Sequence, residues 1–401
     1  MKTSRVVMGA ALLSVAVGLA GLGGGDSARV ILHEWGTFTS VVDGNGSPLR
    51  WRPLGGPDDL PRFVYGLAAG ATPPLRRWSL KAELPALVRM ETPVVYFYAD
   101  HPLTASVHVS FPMGFLTEWY PRARAEGGSL AWDHVAIQPG AEPALPSEAE
   151  PSRYYEARKT DAAPLQVPGP AGGEHERFLF YRGVGNLEPV LTASLAGSQV
   201  VLRARERSIR WCLLFENREG RVGSVLVPLA HGAAQAPRPD LDGSPADAVV
   251  ALQDELVAAG LYPREAEAML ETWRDSWFEE GLRILYLVPR KTTDAVLPLV
   301  VSPPPSEVVR VLVARVEMVT PEAEASFLRE IADLDDTPEA IAAAAGSLLA
   351  LRGRFAEPIL RSLQRHTPDQ ALQQRIDRVT DAAGRGPASS PSPSPRPPRR
   401  R

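Results

Sequence analysis

An acid and a histidine stand side by side in a long apolar run near the start of the sequence, where His33, Glu34 and Trp35 follow one another. Alternate side chains of a strand share a face, so Glu34 falls with Leu32 and Phe38, and His33 falls with Trp35. A carboxylate on an apolar face needs a partner or an altered pKa. Glu34 is therefore either a functional group, which acts as an acid or base or binds a ligand, or one half of a buried ion pair.

An arginine interrupts a second apolar run. Strand alternation places Arg182 on the same face as Phe178 and Phe180. An arginine in such surroundings serves either as the counter-ion of a buried acid, for which Glu34 is a natural choice, or as a clamp for a ligand carboxylate or phosphate.

Two further clusters combine aromatic rings with charge. Glu118 precedes Trp119 and Tyr120, and Tyr155 lies close to Arg158. Aromatic rings stack on the faces of sugars while polar side chains grip the hydroxyl groups, so both clusters are candidate glycan-binding residues. The alternative is a pair of loops packed by their own aromatic residues.

These residues allow a catalytic hypothesis. Glycoside cleavage uses two carboxylates about 5–10 Å apart across an open cleft. Glu34 and Glu118 would form the acid/base pair, His33 would tune or orient them, and Arg182 would hold an anionic group. A weaker alternative is a metal site made by His33, Glu118 and one more histidine.

Several common sites have no signature in this sequence. It contains no phosphate-binding Gly-x-x-x-x-Gly-Lys loop, no Gly-x-Ser-x-Gly nucleophile turn and no zinc-protease helix. No cofactor is expected. The net charge is −4 and no basic stripe runs through the body, which argues against a nucleic-acid partner. The single cysteine, Cys212, lies in an apolar strand and is expected to be an inert core residue.

Residues 1–28 have the layout of a secretory signal. Lys2 and Arg5 give a positive start, an uncharged stretch rich in Val, Ala, Leu and Gly follows, and small residues end it. The alternative is an uncleaved single-span anchor. We expect a periplasmic or extracellular protein that meets the membrane only through this segment.

The rest of the chain predicts an α+β fold, in which a β-rich body (a sandwich or an open barrel) carries an inserted helical hairpin and a small C-terminal helical bundle. Residues 29–243 contain short strands separated by turn signals. Residues 244–319 predict a helical hairpin followed by strands that complete the body. Residues 320–384 predict the bundle, with Thr-Pro starts that cap helices at Thr320, Thr337 and Thr367. Residues 385–401, rich in Pro, Ser and Arg, predict a disordered tail.

Four runs of the sequence resemble those of an uncharacterised group of exported bacterial proteins with an HEWGTFT-type motif. The resemblance covers roughly residues 30–320 and implies bacterial export and one shared body, without an activity or site residues. The runs are His33-Glu34-Trp35-Gly36-Thr37-Phe38-Thr39, Glu91-Thr92-Pro93-Val94-Val95-Tyr96-Phe97-Tyr98, Phe180-Tyr181-Arg182-Gly183-Val184-Gly185, and residues 273–281.

Two functional hypotheses follow from the sequence. The first is a non-catalytic envelope or extracellular protein whose β body binds a glycan or another envelope component and whose C-terminal helices meet a protein partner. The second is a carbohydrate-active hydrolase or lyase that uses paired carboxylates.

Overall fold

The computed structural model describes residues 29–54, 59–66, 84–126, 128–169 and 172–385. The expected signal over 1–28 lies outside the described residues, and so does the expected tail apart from Arg385, which ends the last helix. The structure is 30% helix and 39% strand. A β-rich body with a C-terminal helical region confirms the predicted fold class.

The strands of the described part carry the numbers β1 to β18 in chain order. They are β1 (Val30–Val42), β2 (Tyr65–Gly66), β3 (Val88–Ala99), β4 (Leu103–Ser110), β5 (Gly114–Tyr120), β6 (Arg124–Glu126), β7 (Ser129–Ile137), β8 (Leu165–Val167), β9 (Glu174–Glu176), β10 (Leu179–Gly185), β11 (Leu191–Ala196), β12 (Gln199–Ala204), β13 (Trp211–Arg218), β14 (Arg221–Pro228), β15 (Ala233–Pro237), β16 (Gly281–Leu287), β17 (Leu299–Ser302) and β18 (Glu307–Met318).

The helices of the described part are numbered in the same way. They are α1 (Pro245–Ala258), α2 (Pro263–Trp277), α3 (Arg290–Val296), α4 (Pro321–Ile331), α5 (Pro338–Arg352), α6 (Ala356–His366) and α7 (Gln370–Arg385). A 3-10 helix covers Arg153–Arg158. The Thr320 and Thr337 hydroxyls accept hydrogen bonds from the amides of Ala323 and Ala340, so these two predicted caps are confirmed. The cap predicted at Thr367 is wrong, because the Thr367 hydroxyl donates to the Leu363 carbonyl and Asp369 accepts a hydrogen bond from the amide of Ala371.

A mixed sheet of nine strands forms the centre of the body, in the order β14-β13-β16-β18-β1-β3-β10-β5-β2. β1 and β18 run parallel, and the other neighbours are antiparallel. The strands expected after the helical hairpin do complete the body, since β16 and β18 pair with each other within the central sheet. β18 also brings the end of the body next to its beginning, since it lies beside β1.

Both faces of the central sheet are covered. The three-stranded sheet β11-β12-β15 and the sheet β17-β4-β7-β8-β9 pack on one face, where Leu32, Val107 and Leu202 join one apolar core. Helices α1 and α2 pack on the other face, where Leu252 and Trp273 share a core with Trp35. The expected alternation along β1 is thus confirmed.

The C-terminal helices pack against the end of the central sheet. A third apolar cluster contains Val41 of β1, Val319 after β18, and Phe327, Leu348 and Leu360 of the helices. No helix of the described ranges is long and apolar enough to cross a membrane.

All thirteen residues of β1 are buried, because layers cover the sheet on both sides. Every polar side chain of β1 must therefore find a partner within the protein. Glu34, His33 and Thr39 find theirs on three different elements, as described below.

Candidate functional site

Glu34 is one half of a buried ion pair. Arg310 Nε donates to Glu34 Oε2 over 2.5 Å, and the Tyr181 hydroxyl donates to Glu34 Oε1. Arg310 is the residue of β18 directly beside Glu34 in the parallel register. The arginine that the sequence offered, Arg182, belongs to β10 and lies beside Phe180 on the opposite face of the sheet. The partner of Glu34 is therefore Arg310, and not Arg182.

His33 points to the helical side of the sheet. Its Nδ1 lies 2.6 Å from Glu265 Oε2, and both side chains are buried. The rings of Tyr98 and Tyr262 enclose the imidazole, with centroids 5.3 and 4.5 Å away. Since Glu34 faces the other side, His33 is oriented by Glu265 and does not orient Glu34.

The expected acid/base pair is split between the two faces of the sheet. Glu118 of β5 is directly opposite Arg182 in the antiparallel register, so the two side chains share a face. Glu34 lies on the other face. The structure therefore does not bring Glu34 and Glu118 together. Glu118 is buried and accepts a hydrogen bond from the Thr117 hydroxyl.

The predicted glycan-binding rings are packed inside the protein. Trp119 belongs to the core between the sheets, and Tyr120 stacks on Tyr65 with ring centroids 6.3 Å apart. Both rings are buried, so they leave no open face for a sugar.

The second predicted cluster is held by a carboxylate. Arg158 donates from Nε over 2.9 Å and from Nη2 over 2.6 Å to Glu176, and its guanidinium lies 4.8 Å from the ring of Tyr155. This pairing fixes the 3-10 helix to β9. Because both of these Arg158 nitrogens are used by Glu176, Arg158 is a weaker candidate for ligand binding than its sequence context indicates.

Arg182 belongs to a larger group of charges on the helical side of the sheet. Four arginines surround two carboxylates there, and we call this group the arginine cluster. Its members are Arg89, Arg153, Arg182 and Arg354 with Asp59 and Glu91.

Asp59 is the outer carboxylate of the arginine cluster. Arg182 Nη1 donates to Asp59 Oδ1 over 2.8 Å, and Nη2 donates to Oδ2 over 3.3 Å. Arg153 donates to Asp59 Oδ2, and Arg89 Nη2 lies 3.9 Å from Oδ1. Burial alone would raise the pKa of Asp59, but Arg182, Arg89 and Arg153 outweigh burial and hold that pKa well below its ordinary value.

Glu91 is the inner carboxylate. Arg354 Nη1 donates to Glu91 Oε1 over 2.5 Å, Arg89 Nε lies 3.0 Å from the same oxygen, and the Thr39 hydroxyl donates to Oε2 over 2.8 Å. Burial opposes ionisation, yet Arg354 and Arg89 hold the pKa of Glu91 below its ordinary value. Both carboxylates are therefore ionised near neutral pH.

Positive charge is in excess in the arginine cluster. Among the described residues, four guanidinium groups face two carboxylates, and one positive charge remains even when Glu118, beside Arg182, is counted. The repulsion between these cations affects Arg89. Burial and the neighbouring cations Arg182 and Arg354 lower its pKa to about 10, although Glu91 and Asp59 act in the opposite direction. An anion entering this group would relieve the repulsion.

The arginine cluster reaches the surface through two of its members. The side chains of Arg153 and Asp59 are 29% and 28% exposed, whereas that of Arg182 is 3% exposed. Arg153 also lies over the buried ring of Trp273, 4.7 Å from its centroid. The Trp273 indole N–H has no hydrogen-bond partner among the described residues.

A second charge network adjoins the arginine cluster and is balanced. Arg315 and Arg283 share Glu317, and Arg315 also binds Glu279 over 2.9 Å. The two groups meet at Ser276, which accepts hydrogen bonds from Arg315 and from Arg354. The excess positive charge is thus localised around Asp59 and Glu91.

Four separate runs of the sequence contribute to the arginine cluster and its border. The first supplies Thr39, the second Glu91, the third Arg182 and the fourth Ser276. The runs are far apart in the sequence, and the fold brings them together.

Several members of the arginine cluster were not among the candidate site residues chosen from the sequence. Arg89 and Glu91 alternate on one face of an apolar strand, which is a usable signal. Asp59, Arg153 and Arg354 lie in a loop and at helix ends, where charged residues are ordinary and give no signal.

The described residues contain no group of three or more His, Cys, Asp or Glu side chains that could hold a metal ion. Burial raises the pKa of Cys212 to about 12, as an inert core thiol requires. Compared with protein-family models and with curated proteins, the chain matches none.

Proposed function

We propose that this is an exported binding protein whose arginine cluster holds the anionic group of a ligand, with an acidic glycan as the ligand. The observation that carries the proposal is that, within the described part of the chain, guanidinium groups outnumber carboxylates around Asp59 and Glu91, at a place that reaches solvent. Arginine forks match carboxylate, sulfate and phosphate geometry, and a partly buried site strengthens each of these bonds.

Binding fits the carboxylates of the cluster better than glycoside hydrolysis does. A general acid needs a pKa raised toward neutral pH. The pKa values of Asp59 and Glu91 are both held below their ordinary range, so these carboxylates stay ionised and have no proton to donate. Of the two acids expected to act in catalysis, Glu34 already engages Arg310 and Tyr181, and Glu118 lies on the opposite face of the sheet.

The location and the glycan are part of the same proposal and rest on the sequence. The layout of residues 1–28 favours export to the periplasm or the extracellular space. Uronic-acid and sulfated sugars are anionic groups that an exported protein meets there. The protein partner expected for the C-terminal helices stays a prediction.

Calorimetric titration tests the proposal. The protein is titrated with an oligosaccharide of galacturonic acid and with a neutral glucose oligosaccharide of equal length. Only the acidic sugar should bind. Arg153→Gln removes the most exposed cation of the cluster and should weaken binding about tenfold, because one charge-assisted hydrogen bond is lost.

The matched control is Arg207→Gln, which removes the same charge from an exposed arginine between β12 and β13. This variant should bind like the wild type. Equal binding of both sugars, or equal affinity of Arg153→Gln and the wild type, contradicts the proposal. New reducing ends released from the acidic sugar would instead support the hydrolase or lyase hypothesis.

A further inference from the structure

Asp59 binds its arginines in the way that a ligand carboxylate would. One oxygen faces Nη1 of Arg182 and the other faces Nη2, at 2.8 and 3.3 Å, which is a two-pronged planar pairing. Arg153 donates to one of these oxygens and Arg89 lies near the other. Three cations thus converge on one carboxylate of the protein itself.

The two carboxylates of the arginine cluster differ in how firmly they are held. Glu91 is fixed in the middle of β3, with a side chain 1% exposed. Asp59 lies outside any strand, and its side chain is 28% exposed. Its main chain is tied by the Ser152 hydroxyl, which donates to the Asp59 carbonyl over 3.2 Å. Rotation of the Asp59 side chain would therefore free the arginines without disturbing the sheet.

We infer that Asp59 occupies the position of the ligand's anionic group, that this group is a carboxylate, and that binding replaces Asp59 on Arg182 and Arg153. The inference rests on the proposed function and adds the chemical class of the ligand, a uronic-acid sugar. It also makes Asp59 an internal competitor.

The exchange conserves the interactions of the cluster. One planar carboxylate leaves the Arg182 fork and another enters, so no cation is left unpaired. Asp59, being partly exposed, gains water in return. A neutral sugar cannot make this exchange, since displacing Asp59 would take from Arg182 and Arg153 the carboxylate that they share and put no anion in its place.

Asp59→Asn tests the inference. The amide keeps the size of the side chain but loses the charge that competes with the ligand. Because no carboxylate of the protein then competes at this position for Arg182 and Arg153, the affinity for the galacturonic-acid oligosaccharide should increase about tenfold. Asp133→Asn, the same change at an exposed aspartate of β7, should leave the affinity unchanged.

The outcomes separate the inference from the proposed function. If the wild type binds and Asp59→Asn binds equally or more weakly, the inference is wrong and the proposed function stands. If a sulfated oligosaccharide binds more tightly than the carboxylated one, the ligand class is wrong. If neither the wild type nor Asp59→Asn binds an acidic sugar, the inference and the proposed function are both wrong.

A second measurement does not depend on the folding of Asp59→Asn. In a crystal structure of the wild-type complex, a ligand carboxylate should lie within hydrogen-bonding distance of Arg182, and Asp59 should have left it. A ligand bound with Asp59 still on Arg182 would overturn the inference.

Discussion

Glu34 of β1 and Arg310 of β18 face each other across the parallel strand pair, with Arg310 Nε donating to Glu34 Oε2 over 2.5 Å. The remaining donors of Arg310 go to Asp294 Oδ1, over 2.7 Å, and to the carbonyl of Leu297, over 2.8 Å. The pair therefore ties the first strand of the body to the last one and to the C-terminal end of α3.

Removal of this acid should cost stability rather than ligand binding. Glu34→Gln removes the buried carboxylate from Arg310 and leaves the partly exposed Asp294 as its remaining counter-ion. We expect a loss of about 3 kcal/mol in the free energy of unfolding, measured in urea. The control is Glu307→Gln, which breaks an exposed ion pair with Arg29, 3.9 Å away. It should cause no measurable change in the free energy of unfolding. A Glu34→Gln protein of full stability that no longer binds the acidic sugar would return Glu34 to the ligand site.

The arginine cluster should make stability depend on acid pH. The pKa values of Asp59 and Glu91 are lower in the folded protein than in the unfolded chain. Their contribution is therefore complete above roughly pH 5 and is lost as the pH falls through the ordinary carboxyl range and below it. The urea concentration at the midpoint of unfolding should therefore be lower at pH 3 than at pH 6.

The Glu91→Gln variant measures how much of this pH dependence comes from Glu91. Its urea midpoint should be lower than that of the wild type at pH 6. The midpoint should also fall less steeply below pH 5, because one ionisable group is gone. Glu142→Gln, at an exposed position, should follow the wild-type curve. Parallel curves for Glu91→Gln and the wild type would show that Glu91 titrates alike in both states.

Phe355 should anchor the C-terminal helices. Its buried ring stacks on Trp51, with centroids 5.7 Å apart, and lies under the guanidinium groups of Arg315 and Arg354 at 4.6 and 5.0 Å. Phe355→Ala should cost about 3 kcal/mol of unfolding free energy and speed proteolysis within 321–385. Leu351→Ala, 47% exposed, should cost less than about 1 kcal/mol. Equal losses in the two variants would contradict this role.

Gly36 should be required by close packing of β1 on β3. A Cβ atom at Gly36 would lie 2.8 Å from Pro93 Cα, at the irregularity between the two strands. Gly36→Ala should therefore cost about 1–3 kcal/mol. A Cβ atom at Gly346, inside α5, would meet nothing within 4 Å. Gly346→Ala should therefore raise the free energy of unfolding by about 0.5–1 kcal/mol. Thermal unfolding measures both, and a neutral Gly36→Ala would show that β3 can move aside.

The sequence predicted what depends on local pattern. Alternation along β1 placed Glu34 and His33 on opposite faces, and the Thr-Pro starts located helices α4 and α5. Trp273 and Trp277, four residues apart in the sequence, share one face of α2, and both are fully buried with their rings stacked 6.3 Å apart.

Long-range partners were beyond the same reasoning. Arg310 is 276 residues from Glu34, and choosing it over Arg182 requires knowing that β18 runs parallel beside β1. Asp59 joins the arginine cluster from a loop, and Arg354 joins it from the 3-10 turn between α5 and α6. Neither has a periodic pattern, so their roles depend on the three-dimensional fold.

Chemical modification of the arginines with phenylglyoxal, mapped by mass spectrometry, tests the central claim most directly. In the free protein Arg153, with a side chain 29% exposed, and the exposed Arg207 should both react. Saturation with the galacturonic-acid oligosaccharide should protect Arg153 and leave Arg207 reactive. A bound sugar that leaves Arg153 as reactive as before, while protecting arginines elsewhere, would show that the ligand site is not the arginine cluster.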